Sequence, residues 1–263
     1  MLLKDKIVIV SGIGPGLGIK LALLCAQEGA AGLAICARTA SKLDEAEAAI
    51  RAAGLKTPVL KVPTDVSDRA QCDALVAQTV EQFGRVDVLI NSAYVPGQFA
   101  PVESADMDDW RKTMEVNLFG TMNLSQAVIP PMKKQGKGAM VMVNTMVTRK
   151  PLAYQAGYGA SKSALVSVTG HLALELGGYG IRVNSTFMGW MWGPPVENYM
   201  KAEAKRTGTT VEAMRKAVAK NIPLGDIPED GDCAKAVIFL ASDYACAITG
   251  ACLDVNGGEY LPH

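Results

Sequence analysis

Seven short apolar runs punctuate the chain: KIVIV (6–10), GLAIC (32–36), PVLKV (58–62), VDVLI (86–90), AMVMV (139–143), IRVNSTF (181–187) and ACLDV (251–255). Between them lie longer, Ala-rich stretches with helical periodicity. A half-exposed strand alternates polar and apolar residues, whereas a nearly continuous apolar strand has to be covered on both faces. Strands of the second kind, separated by helices, predict a seven-stranded parallel sheet with helices on both sides, a doubly wound α/β architecture. At 263 residues the chain has the length for one such domain spanning 1–263, and no internal repeat or low-complexity linker divides it. One irregular region, about 188–230, opens with MGWMWGPP and continues through two short helical patterns. Thr209 to Glu212 has the form of a capping box for the second. The region is expected to be an insertion over the end of the sheet where ligands bind.

Charge excludes several classes of partner. Lys plus Arg and Asp plus Glu both number 26, so no global field attracts nucleic acid or an anionic membrane. No stretch approaches the roughly 20 apolar residues of a membrane helix, and the apolar run in MLLKDKIVIVSG is too short for a secretory signal. The six cysteines show no C-x-x-C spacing and fall mostly in apolar patterns, where a free thiol behaves as a small hydrophobe. A small-molecule partner, a reducing cytoplasm and no metal site are the expectations.

The loop SGIGPGLG (11–18) directly follows the first strand run and precedes the helical run KLALLCAQEG. Glycines at 12, 16 and 18 let the backbone turn sharply and approach a phosphate, with the helix N-terminus facing it. Because Gly12 and Gly16 are four apart, the spacing differs from G-x-G-x-x-G. About 20 residues further on, where a ribose-binding carboxylate is expected for NAD, the second strand run ends in Cys36, Ala37, Arg38 and Thr39. An arginine can pair with a 2′-phosphate through its planar fork of donors, which favours NADP, with NAD as the alternative.

Tyr154, Tyr158 and Lys162 recur every fourth residue in YQAGYGASK and would share one helix face. Tyrosine is a poor proton carrier at neutral pH because its ordinary pKa is about 10. A lysine one turn away can stabilise the phenolate, and lowering the pKa by about three units takes about 4 kcal/mol. Tyr158 has such a lysine in Lys162, while Tyr154 has only Tyr158.

Together these segments resemble the short-chain dehydrogenase/reductase family along nearly the whole chain, which implies a Rossmann-type fold. SGIGPGLG is similar to that family's TGxxxGhG cofactor loop, with Ser11 in place of threonine, and the resemblance assigns Gly12, Gly14, Gly16, Leu17 and Gly18 to the cofactor. Asp65 and Val66 match the acidic-aliphatic pair that holds the adenine. INSAY (90–94) resembles the NNAG segment, contributing Asn91, but has Ser92 and Tyr94 where the family has asparagine and glycine. Asn117 in VNLFGT matches the catalytic asparagine, YGASK supplies Tyr158 and Lys162, and DVNGG (254–258) resembles the end of the last strand.

The resemblance implies reversible hydride transfer between a nicotinamide and a carbonyl or secondary alcohol carbon. Tyr158 would be the general acid, Lys162 would depress its pKa and hold the nicotinamide ribose, and Asn117 would anchor a proton-relay water. The family's substrate-orienting serine, thirteen residues before the tyrosine, is here Thr145, which keeps the hydroxyl but adds a χ1-restricting methyl. After the sixth strand the family's Pro-Gly and carboxamide-binding threonine become Met188-Gly189 and Gly193, leaving the carboxamide to backbone groups near Met191. Trp190, Trp192, Tyr94 and Tyr154 are expected around an apolar substrate pocket, suited to an alicyclic, terpenoid or steroid-like ketone or alcohol. Met200 and Met214 either join that pocket or pack their helices. A 3-oxoacyl thioester reductase and a cofactor-binding scaffold that has lost activity stay open as alternatives. The resemblance also implies a homotetramer, with Ala160, Ala164 and Val168 compatible with close helix packing.

Overall fold

The computed structural model describes residues 1–262. Its strands are β1 Ile7–Ser11, β2 Gly32–Ala37, β3 Val59–Pro63, β4 Val88–Asn91, β5 Gly138–Thr145, β6 Ile181–Met188 and β7 Cys252–Val255. They form one sheet in the order β3, β2, β1, β4, β5, β6, β7, and every neighbouring pair is parallel. The helices are α1 Leu17–Gln27, α2 Ala40–Ala52, α3 Arg69–Phe83, α4 Met107–Met114, α5 Thr121–Gln135, α6 Ala156–Leu176, α7 Pro194–Thr207, α8 Val211–Ala219 and α9 Asp230–Ala241.

Strand alternation divides the core in two. Val8, Val10, Leu33 and Ile35 pack with Leu21 of α1, Leu43 of α2 and Val237 of α9. Ile9, Ala34 and Leu89 pack on the other face with Leu75 of α3, Val128 of α5 and Leu165 of α6. These residues are all but fully buried, which is why the strand runs read as continuously apolar.

The insertion contains α7 and α8, held by a small separate core of Met200, Ile222 and Ile227 against which Trp190, Trp192 and Met214 pack. Pro194 and Pro195 start α7, where a missing N–H costs nothing. The cap of α8 is Thr210, not Thr209: its hydroxyl accepts the Ala213 N–H at 3.1 Å. Starting the helix at Val211 makes Ala213 the third helical residue, so Glu212 falls one position short of the expected box.

The first turn of the fold is fixed by close approach. Gly12 has φ +77°, and a Cβ there would lie 2.3 Å from the Ala93 nitrogen; one on Gly18 would lie 2.3 Å from the Gly12 carbonyl oxygen. Such contacts with backbone cannot relax by a rotamer change. Gly18→Ala should lower the unfolding free energy by about 1–3 kcal/mol, read by urea denaturation. Unchanged stability would mean that the loop does not hold this geometry.

Candidate active site

The carboxyl ends of the strands open into a cleft of about 510 Å³, at the point where the strand order departs from β1 in both directions. Ser11 ties the two sides together: its Oγ lies 3.4 Å from the Ile90 carbonyl and accepts the Ser92 N–H at 3.2 Å. Gly12, Gly14, Gly16, Leu17 and Gly18 all line the cleft. At the start of α1 no side chain caps the free N–H groups, and its first turn has no acidic residue. That leaves an anion-binding helix end facing a glycine-lined cradle, which fits the pyrophosphate of a dinucleotide.

Farther along the cleft stand Arg38, Lys42, Asp65 and Val66. Arg38 is exposed and, among the described residues, in no ion pair, whereas Lys42 reaches Glu45 at 2.8 Å. The Asp65 carboxylate accepts the Ser67 N–H and hydroxyl at 3.0 and 2.7 Å, holding the turn after β3.

Thr145, Tyr158 and Lys162 also meet in the cleft. Thr145 ends β5, and its Oγ1 accepts the Val147 N–H at 3.3 Å, which leaves its own proton free to donate. The Lys162 ammonium donates to the Val143 carbonyl at 2.9 Å, and burial pushes its pKa down to about 8. Tyr158 departs from expectation. Its pKa is raised, first by desolvation and then by the neighbouring Tyr94, with the Thr145 hydroxyl as the one opposing influence. Lys162 is not among the influences on Tyr158, so the expected depression by the lysine is not seen. The Tyr94 ring packs on that of Tyr158, with centroids 6.2 Å apart at 57°.

Two asparagines build the frame. Asn117 lies in a π-helical segment, Glu115–Gly120, that joins α4 to α5. Its side-chain oxygen accepts the Val95 N–H at 2.8 Å, while Nδ2 donates to the Val95 carbonyl at 2.9 Å and to Ser161 Oγ at 3.0 Å. With both amide hydrogens engaged, this carboxamide positions the loop after β4, and a water at this point would have to be held by the backbone. Asn144 was not anticipated from the sequence. It accepts the Thr145 N–H at 2.9 Å and donates to the Lys162 carbonyl at 3.1 Å, bracing two cleft positions at once. A polar residue at the end of an apolar strand run was its available signal.

Four expected site residues are absent from the cleft wall: Asn117, fully buried behind it, and three that lie elsewhere. Tyr154 precedes α6 in a left-handed conformation, φ +69°, is exposed, and is not part of the cleft wall. Trp192 faces Arg215, whose guanidinium sits 4.1 Å from its ring centroid, so it belongs to the insertion's packing. Asn91 is buried and donates to Ser125 Oγ at 3.0 Å, away from the cleft surface. Trp190 and Met191 do line the cleft, whereas Met200 and Met214 pack within the insertion. Asp230, which carried no sequence signal, contributes a carboxylate to the wall. Among the described residues no group of three or more His, Cys, Asp or Glu is placed to hold a metal, and no helix is long and apolar enough to cross a membrane.

Residues 12–259 match a family model described as enoyl-(acyl carrier protein) reductase. The chain is 33% identical over 258 residues to levodione reductase of Leifsonia aquatica, covering 97% of this chain and 94% of that protein. The crystal structure of levodione reductase superposes with a TM-score of 0.90 and covers 98% of each chain. The 3-oxoacyl-(acyl-carrier-protein) reductase FabG of Thermotoga maritima is also 33% identical over 258 residues, covering 98% of this chain and 99% of its own. The cis-4-hydroxycyclohexanecarboxylate dehydrogenase of Sinomonas cyclohexanicum is 30% identical over 254 residues, covering 97% and 96%.

The buried lysine sets a titration that can be measured. Its folded pKa is about 8 against 10.5 ordinarily, so the unfolded chain binds more protons between those values and stability rises with pH across that window. Below pH 8 both states are charged and the difference is constant. Between about pH 7.5 and 10, wild type should gain about 2 kcal/mol of unfolding free energy relative to Lys162→Met. Urea denaturation at the two pH values reads it, and no relative gain would mean that the ammonium is not desolvated.

Proposed function

From its membership of the short-chain dehydrogenase/reductase family, to which this chain belongs, we propose that it interconverts a ketone and a secondary alcohol with a nicotinamide dinucleotide. The observation that carries the reading is the meeting of Thr145, Tyr158 and Lys162 in one cleft with the glycine loop. The loop backbone would hold the pyrophosphate, Asp65 and Val66 the adenosine, and Lys162 the nicotinamide ribose. Bound there, the cofactor supplies or accepts the hydride.

The protein's own part is proton transfer and charge stabilisation. In the reducing direction Tyr158, kept protonated by its surroundings, gives its phenolic proton to the developing alkoxide. Thr145, whose hydroxyl accepts the Val147 N–H and lies within reach of Tyr158, turns its one proton to the same oxygen as charge forms. Asn144 and Asn117 hold these groups in register from behind.

We assign NADP as the preferred cofactor on the exposed guanidinium of Arg38, which is in no ion pair among the described residues, with Lys42 also lining the cleft. For the substrate, Tyr94, Trp190, Val147 and Leu152 offer an apolar wall suited to a hydrophobic ketone or alcohol. The likeness to a dehydrogenase named for a hydroxylated cyclohexane ring supports an alicyclic one. The acyl-carrier reading draws on FabG at equal identity. Against it, Lys201 is paired with Glu197 at 2.6 Å, Arg206 is paired with Glu203, and neither they nor Lys205 line the cleft. The retained Tyr158 and Lys162 pair argues against an inactive scaffold.

A homotetramer fits exposed Ala160 and Leu174 on α6, and free cysteines fit a reducing, cytoplasmic setting.

Tyr158→Phe should reduce turnover of cyclic ketones by about 10³-fold or more while cofactor affinity, read by fluorescence titration, stays within a few-fold. Appreciable residual turnover would remove Tyr158 from the proton-transfer role. Arg38→Ala should weaken NADPH binding about tenfold or more and leave NADH binding nearly unchanged. Equal losses for both cofactors, or a wild-type preference for NADH, would overturn the NADP assignment.

A further inference from the structure

Asp230 is the first residue of α9, and its side chain is only 8% exposed. Its Oδ1 stands 4.0 Å from the Lys20 ammonium, while its Oδ2 is buried with no hydrogen-bond partner among the described residues. The carboxylate is held in place by backbone: the Asp230 N–H donates to the Trp192 carbonyl at 2.9 Å, and the Trp192 N–H to the Pro228 carbonyl at 2.7 Å. It borders the cleft between the glycine loop and the first residues after β6.

Gly193 explains how that carboxylate fits. A Cβ on Gly193 would lie 2.4 Å from Asp230 Oδ2, so the oxygen occupies the space that any side chain at 193 would take. Gly193 has φ −178°, an extended conformation open to every residue. The glycine is therefore required by the carboxylate and not by the backbone. A Cβ on Gly16 would lie 3.7 Å from the same oxygen, which sets Oδ2 beside the phosphate-binding loop.

A buried carboxylate oxygen without a donor is costly, so a group entering the cleft has to supply one. A phosphate cannot, since it is itself an anionic acceptor. The donors of a nicotinamide dinucleotide are its adenine amino group, its ribose hydroxyls and its carboxamide N–H₂. The adenine belongs at Asp65, its ribose with the 2′-phosphate at Arg38, and the nicotinamide ribose at Lys162, which leaves the carboxamide for the wall formed by Met191, Gly193 and Asp230. We propose that Asp230 Oδ2, which fills the space left by the side chain missing at Gly193, accepts the amide N–H of the nicotinamide carboxamide. The inference rests on the nicotinamide-dependent reading above.

The test compares three ligands by calorimetry: the oxidised cofactor, its analogue with a carboxylate in place of the carboxamide, and the corresponding ADP-ribose lacking the nicotinamide. Wild type should bind the amide at least about thirtyfold more tightly than the acid, because two carboxylates would face each other. In Asp230→Asn, whose side-chain N–H₂ can donate to the acid, that ratio should fall to within about threefold. ADP-ribose affinity should stay within about twofold of wild type, since it does not reach Asp230. Gly193→Ala, which pushes the carboxylate aside, should lower the same ratio and gives a second route if Asp230→Asn folds poorly. A wild type that binds acid and amide equally overturns the assignment. So does an unchanged ratio in both variants, or a parallel loss of ADP-ribose binding, which would make Asp230 a brace for the loop. Wild type that binds neither ADP-ribose nor the cofactor overturns the reading on which the inference rests.

Discussion

Burial of a parallel sheet on both faces is the constraint on which the rest of this molecule depends. Helices cover both sides, so each chain crossing returns to the same end and all seven strands finish on one edge. At the β1/β4 boundary the chain leaves in opposite directions, toward β2 on one side and β5 on the other. The loops after β1 and β4 must then part, and the opening between them is the cleft. Ser11 bridges that opening at its base, and the absence of side chains at Gly12 and Gly18 lets α1 begin close enough to present its N-terminus there.

Buried polar clamps hold the walls of the cleft to one another. Asn117 fastens Val95 of the loop after β4 and also reaches Ser161, which in turn donates to the Tyr158 carbonyl at 2.7 Å. Asn144 fastens the end of β5 to α6 through the Lys162 carbonyl. Each clamp joins elements far apart in sequence, and each is fully buried or nearly so. Buried side chains satisfied in this way specify one arrangement, because every alternative leaves a donor or acceptor unpaired. The π-helical segment fits the same purpose: it turns Asn117 inward from a helix that otherwise covers the sheet.

What the sequence made legible was local. Strand runs, the glycine loop and the Tyr158–Lys162 spacing depend on neighbours within a few residues, and they sit where their patterns imply. Features set by tertiary direction were not legible. Alternation along β4 sends Leu89 and Ile90 to opposite faces, so Asn91 turns with Leu89 toward α5 and Ser125. Tyr154 continues the four-residue ladder on paper, but α6 starts only at Ala156 and the backbone reverses at Tyr154. Trp192 is turned away by its parallel bridge to Glu229, which links the insertion to the start of α9. Asp230 was invisible for a related reason: an acid in the first turn of a helix reads as a favourable dipole partner, and only the packing of Gly193 against it reveals a second use.

The electrostatics of the reactive pair follow from this dry, braced setting. The sequence spacing suggested a lysine that pays for a phenolate, yet burial acts against charge on both groups, raising Tyr158 and lowering Lys162. A phenolate and an ammonium formed together in such a place must recover the desolvation of both, and Lys162 already spends one donor on the Val143 carbonyl. The surroundings of Tyr158 therefore favour its neutral phenol, with Thr145 the one neighbour that eases its ionisation. Ionising Tyr158 would call for a further positive charge or hydrogen-bond donor in the cleft.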